Sequence, residues 1–212
     1  MSENAENQTI MNKFIFLITL LSLTAFFSCA SAPVEKALVA PQPPIYIMGE
    51  GNVSAEKLML FLLHYNPLAD FDFVRTLAVL YVEEAAIEGV NHDIAFAQMI
   101  LETGFLRFGN LVQPESYNFA GLGATGLPGP DGLPEAGLIF PDPRTGVRAH
   151  VQHLKAYATD EPLNNELVNP RRRFVRLGSS PTIEGLAGTW AADPDYAVKI
   201  KGILRRLYDF AF

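Results

Sequence analysis

Glu102 is the residue in this 212-residue chain that most resembles a catalytic group. It is the one carboxylate in the apolar stretch AFAQMILETGF, which reads as a helix. A carboxylate among apolar side chains is costly to bury unless it is paired, and in a semi-apolar cleft its pKa rises. A carboxyl kept protonated near neutral pH can protonate a leaving group. After the breaks at Gly104 and Gly109 comes a polar-aromatic loop, Tyr117-Asn118-Phe119-Ala120-Gly121. Glu102 is therefore expected to be an acid with a groove built around it. The competing structural role is a pair with Arg107.

Glu102 has to be positioned by helices. Ser54 reads as the N-cap of a helix over AEKLMLFLLHYN that stops at Asn66-Pro67. Asp72 is read as the cap of a second helix, Phe73 to Glu88, with Gly89 in the left-handed position after its end. Glu83, Glu84 and Glu88 are assigned to its solvated face. Asp93 is read as the cap of the Glu102 helix, with Ile94, Ala97, Leu101 and Phe105 on one face and Gln98 and Glu102 four apart beside it.

From Gly121 to Gly146 glycine and proline dominate, predicting an irregular loop or a short β-hairpin lobe, with Leu138-Ile139-Phe140 its most strand-like piece. Its acids are Asp131, Glu135 and Asp142. A helix is predicted over Val147 to Ala158, a long connection with Arg171-Arg172-Arg173 follows, and Pro181 to Trp190 is read as a short helix. Asp193-Pro194-Asp195-Tyr196 opens the last helix, Ala197 to Tyr208. His64, His150 and His153 are read as hydrogen-bonding or surface groups, not metal ligands, because no carboxylate or cysteine of matching spacing accompanies the last two. No metal and no cofactor is expected. One of the three arginines is a candidate contact for an anionic group of a substrate.

The formal net charge of −7 argues against a nucleic-acid partner. The single cysteine, Cys29, excludes an internal disulfide. Residues 1–32 have the shape of an export signal: Lys13, an apolar run from Phe14 to Phe27, then small residues, with Met11 as an alternative start. Ser28-Cys29 resembles the end of a lipoprotein signal, so Cys29 is a candidate for lipidation and membrane anchoring. Cleavage at Ala30-Ser31-Ala32 would instead release a secreted protein. Both readings place the domain outside the cytoplasm. Residues 33–52 are read as a proline-rich tether, and 53–212 as one monomeric domain.

Three motifs in order resemble the bacterial peptidoglycan glucosaminidase family. They are Ala97-Gln98…Leu101-Glu102-Thr103-Gly104, then Tyr117-Asn118-Phe119-Ala120-Gly121-Leu122, then Trp190…Asp195-Tyr196-Ala197…Lys199-Ile200. Phe105 stands where the family often has tryptophan, and Ala120 lengthens the Asn-Phe-Gly element by one residue. The resemblance implies an α+β, mainly α, lysozyme-like fold, with a helical core and a small β-lobe flanking a groove. It implies hydrolysis of a β-1,4 bond after N-acetylglucosamine in peptidoglycan strands, with Glu102 as general acid.

Sugar hydrolysis commonly uses a second carboxylate. Glu135 and Asp142 are the candidates, with Asp131 third; assistance by the substrate's own acetamido group would dispense with it. The resemblance makes Tyr196 a groove tyrosine, and Gln98, Tyr117, Asn118, Phe119 and Gly121 substrate-binding. Two rival readings remain: a lytic transglycosylase on the same fold, and a non-catalytic wall-binding lipoprotein. Peptide-bond chemistry has no support, since there is no zinc-ligand set and no nucleophile.

Overall fold

A computed structural model describes residues 40–109 and 111–212. The signal segment, Cys29 and the first part of the tether lie outside the described residues. Among those described, no helix is long and apolar enough to cross a membrane. The compact unit they form runs from Ala40 to Phe212.

Five α-helices make up its frame: α1 Ala55–Tyr65, α2 Phe71–Glu88, α3 His92–Thr103, α4 Pro143–Ala158 and α5 Tyr196–Ala211. Ser54 caps α1 through the Lys57 amide, and Gly89 ends α2 at φ 73°, both as expected. Two caps were misplaced. Asp70, not Asp72, caps α2 by accepting from the Phe73 amide, while Asp72 sits in the first turn paired with Arg75. Asn91, not Asp93, caps α3. Asp93 is fully buried and ties three segments together, accepting from the backbone amides of Asn52 and Val53 and from the Tyr208 hydroxyl on α5.

The central element is α3. It packs against α2, α4 and α5. Every residue from Asp93 to Ile100 is buried, so the helix is enclosed on all sides at its N-terminal end. Only at Leu101 and Glu102 does it emerge, half-buried. A one-sided apolar stripe was expected. That picture fails because Phe105 leaves the helix: Gly104, Phe105, Leu106 and Phe108 all take positive φ, between 54° and 59°. Left-handed backbone disfavours L-residues, and here it is held by the amides of Phe105 and Phe108 on the carbonyls of Ile100 and Thr103. The chain therefore turns sharply just past Glu102.

The acids of α2 also differ from expectation. Glu83 is exposed, but Glu84 and Glu88 are buried. Glu84 takes Arg144 and Arg148 from α4, and Glu88 takes Lys155 at 2.9 Å plus the backbone amides of Asn164 and Asn165. Buried charges persist when paired and hydrogen-bonded, and these pairs lock α2 to α4.

No strand forms among the described residues; pairing is confined to isolated bridges. The stretch 45–51, assigned to the tether, carries two of them, to Thr182 and Val90, and buries Ile47 completely. Of the expected irregular loop or short β-hairpin lobe, residues 126–135 form a small turn with the bridge Pro128–Pro134, the amides of Gly126, Glu135 and Gly129 bonding the carbonyls of Glu135, Leu127 and Leu133. Pro128, Pro130 and Pro134 remove the donors that a ladder needs. Leu138 and Phe140 instead hydrogen-bond back to the carbonyls of Leu122 and Ser116. Helix α4 starts four residues earlier than expected, at Pro143, because Asp142 caps it. The expected helix Pro181 to Trp190 shrinks to a 3-10 turn, Ile183–Leu186, and a second such turn, Pro170–Phe174, holds the arginine run.

Candidate active site

Glu102 lies on the last turn of α3, where the helix comes out of the core. Two donors converge on one of its oxygens. The Tyr196 hydroxyl, at the start of α5, donates to Oε1, and so does the Trp190 indole Nε1, at 3.1 Å. No described residue donates to Oε2. A Cβ placed on Gly121 would sit 3.8 Å from that atom. Gly121 adopts φ +62°, and this left-handed turn lets bare backbone pass the carboxylate.

Burial pushes the Glu102 pKa up, and the Tyr196 and Trp190 hydrogen bonds pull it partly back. With both donors on Oε1, a proton on the neutral acid belongs on Oε2, to which no described residue donates. Arg107 is not its partner. The guanidinium turns the other way, to the carbonyls of Gly104 and Tyr65.

Behind Tyr196 runs a buried chain of hydrogen bonds. Gln98 Nε2 donates to the Tyr196 oxygen at 2.8 Å. His150 Nε2 lies 2.9 Å from Gln98 Oε1, and the Tyr81 hydroxyl 2.9 Å from His150 Nδ1. An amide oxygen only accepts, so Nε2 carries the imidazole proton and Nδ1 accepts from Tyr81. Every hydrogen then points from Tyr81 toward Glu102. Burial holds His150 neutral, its pKa pushed down to about 3 with a contribution from His153. Tyr196 is pushed well above the usual phenol value, first by burial and then by the Glu102 carboxylate, so it remains a donor.

Trp190 is fixed by aromatic neighbours: His153 at 5.0 Å between ring centroids, Tyr157 at 5.5 Å and His150 at 5.8 Å, all from α4. His153 Nδ1 accepts from the Asn169 amide Nδ2 at 2.7 Å, and burial depresses its pKa to about 4. Two cavities adjoin the acid. One of about 200 Å³ is lined by Glu102 itself, Phe108, Leu111, Val112, Gly121 and Ala124. A larger one, about 340 Å³, shares Gly121 and Ala124 and is walled by Trp190, Tyr157, His153 and Arg171.

A family model described as mannosyl-glycoprotein endo-beta-N-acetylglucosaminidase, the glucosaminidase family, matches residues 78–209. That span runs from the middle of α2 to the end of α5 and includes every residue of the Glu102 cluster. The chain belongs to the glucosaminidase family. It is thereby a glycoside hydrolase of the peptidoglycan-acting type. A Borreliella burgdorferi protein that carries only the name "Uncharacterized protein" is 42% identical over 180 residues, 85% of this chain and 83% of its own length. No solved structure matches.

Within this glucosaminidase, the residues singled out from sequence divide. Tyr196 and Gly121 sit against Glu102. Gln98 is fully buried and spends its amide on Tyr196 and His150, so it has no surface for a sugar. Asn118 is equally enclosed: its side chain bonds the carbonyls of Leu122 and Leu138 and the Leu122 amide, bracing the loop from inside. Phe119 is a core residue, 1% exposed. These three do not floor a groove. Tyr117 is half-buried, and its backbone lies against α4 so closely that a Cβ on Gly146 would fall 1.9 Å from its carbonyl oxygen.

Of the lobe acids, Glu135 is exposed and accepts from the hydroxyl of Thr125, a residue lining the larger cavity. Asp131 caps its own turn through the Leu133 amide. Asp142 spends both oxygens on the amide and hydroxyl of Thr145. Neither His150 nor His153 is a surface residue. Among the described residues no three His, Cys, Asp or Glu side chains gather as a metal would require. Trp190 and His150 were missed as site residues. Trp190 is the chain's only tryptophan and stood in the third motif, which was the available signal.

Proposed function

We propose that this protein hydrolyses the β-1,4 bond after N-acetylglucosamine in peptidoglycan glycan strands, with Glu102 as the general acid. The observation that carries the reading is the Glu102 carboxyl itself. It is half-buried at a helix end, has its pKa raised by desolvation, is clamped at Oε1 by Tyr196 and Trp190, and lines one cavity while its partner Trp190 walls a second. A proton held on Oε2 is the one delivered to the glycosidic oxygen.

In this reading Tyr196 and Trp190 also steady the carboxylate left after transfer, since both donate to Oε1. Glu135 is the second carboxylate, acting on the opposite side of the sugar. It is preferred over Asp142 because Thr125 links it to a cavity wall, whereas Asp142 is occupied in capping α4. Export, and a lipid anchor on Cys29 after removal of residues 1–28, would put the enzyme beside its polymer.

The test is mass spectrometry of purified peptidoglycan digested by wild type and by Glu102→Gln. Reducing N-acetylglucosamine ends from the wild type alone support the reading. Anhydro-muramyl ends would replace it with a lytic transglycosylase, and equal digestion by both proteins would remove Glu102 from the chemistry.

A further inference from the structure

The larger cavity, walled by Trp190, holds a cation, Arg171, that no described carboxylate pairs with. Arg171 lines it, packed over Gly123, with its guanidinium 5.2 Å from the Phe174 ring centroid. No described carboxylate comes within ion-pair distance of Arg171, nor of its neighbours Arg172, Arg173 and Arg176. Four arginines within six positions, none paired with a described carboxylate, stand out in a chain of net charge −7. Arg171 acts on two groups of the cavity wall: it adds to the burial that pushes the His153 pKa down, and it opposes the burial that pushes Tyr157 up. Hydroxyls of Thr125 and Thr189 border the same space.

Trp190 sets the distance to the chemistry. It lines this cavity and donates to Glu102, so whatever fills the cavity lies one indole ring from the acid. Clefts lined by one sign of charge concentrate the opposite charge in the ligand. A planar guanidinium fork matches a carboxylate.

We propose that this cavity is a subsite for a carboxylate carried on a substituent of the glycan, and that Arg171 recognises it. The assignment rests on the glycosidase reading and makes it more specific. The enzyme is selective for an acid-bearing glycan over a neutral polymer of N-acetylglucosamine. Two sources share this chemistry: the acid ether of N-acetylmuramic acid itself, and the peptide that amidates that ether.

Binding is measured by calorimetry on the full-length Glu102→Gln protein, with and without Arg171→Gln. The probes are the disaccharide N-acetylglucosaminyl-N-acetylmuramic acid, its methyl ester, and the same disaccharide bearing a peptide stem. The expected result is that the free acid binds about tenfold or more tighter than its ester, as a charge-assisted bond to arginine provides. Arg171→Gln abolishes the difference, and Arg171→Lys retains part of it. If the peptide-bearing disaccharide surpasses the free acid in an Arg171-dependent way, the peptide carboxylate is the group recognised; if it binds like the ester, the ether acid is. Equal affinity for acid, ester and peptide-bearing disaccharide, a preference that survives Arg171→Gln, or no binding of any of the three overturns the proposal. Glycan hydrolysis by the Glu102-containing protein is read separately. Its absence sinks the glycosidase reading while the affinity ratio still decides the subsite.

Discussion

The Tyr196 hydroxyl donates to Glu102 Oε1 and at the same time accepts from Gln98 Nε2. A hydroxyl has one hydrogen, so the amide donor behind it dictates that the hydrogen points at the acid. The orientation is inherited in turn from His150 and Tyr81. Residues buried behind the site therefore tune the proton affinity of the Glu102 carboxyl.

Tyr196→Phe removes a bond that stabilises the Glu102 carboxylate, so the pKa, already raised by burial, rises further. A general acid works while protonated, and activity falls as pH climbs through its pKa. The alkaline limb of kcat/KM should move to higher pH, with kcat down by about ten- to a hundredfold. A pH–rate profile measures this; a limb that stays put, or moves down, contradicts the donor role.

Gln98→Glu replaces the amide donor by an acceptor of the same shape. Tyr196 is then drawn to donate toward position 98 and is lost to Glu102. The expected profile copies that of Tyr196→Phe, with KM for glycan nearly unchanged and kcat about tenfold lower. Were Gln98 a sugar contact instead, KM would rise and the pH limb would not shift.

Glu102→Gln should abolish turnover by about a thousandfold while making the fold more stable at neutral pH. The sign follows from linkage. A carboxyl whose native pKa is raised binds more protons folded than unfolded, so its contribution is present below the unfolded pKa and is lost as pH rises through the folded one. Thermal melts should show the variant ahead of wild type at pH 7 and level with it near pH 4.

Glu135→Gln and Asp142→Ala separate the two lobe acids. The first should cost about a hundredfold in kcat with an unchanged melting temperature. The second should leave most activity and cost about 1 kcal/mol of stability, because it deletes the N-cap of α4. Full activity in Glu135→Gln would instead assign the second role to the substrate's acetamido group.

Lys155→Met strands Glu88 in the core, with both its carboxylate oxygens held only by the Asn164 and Asn165 amides. The expected loss is about 3–5 kcal/mol by urea denaturation. Adding Glu88→Gln should recover part of it; a double variant as unstable as the sum of two singles would show that the pair is not coupled.

The helices were largely legible in sequence because apolar spacing and terminal caps are local signals. Ser54 and Gly89 acted as read. The errors arose where two acids of the right type lay within a few residues of each other, as with Asp70 and Asp72, and where Asn91 was passed over for Asp93. Nothing local says which carboxylate meets an amide and which is claimed by a distant tyrosine. Glu84 and Glu88 looked solvated because helical periodicity cannot reveal that Arg144, Arg148 and Lys155 on another helix will cover them. The glycine-rich lobe stayed open between an irregular loop and a short hairpin, because short apolar pieces between turns suggest strands while its prolines block a longer ladder.

By itself the sequence determined the family and singled out Glu102 as its candidate acid. A lone glutamate on an apolar helix, followed at the right intervals by Gly121, Trp190 and Tyr196, is a pattern of residue types along the chain, and types can be read without contacts. Only the tertiary structure decided what surrounds that acid. Gln98 and Asn118 changed from sugar contacts to internal braces, and Trp190 and His150 entered the site. The physical reason is that burial and hydrogen-bond direction are properties of pairs of residues, here from 52 to 98 positions apart. Their energies are settled only when α3, α4 and the start of α5 close around the same carboxylate.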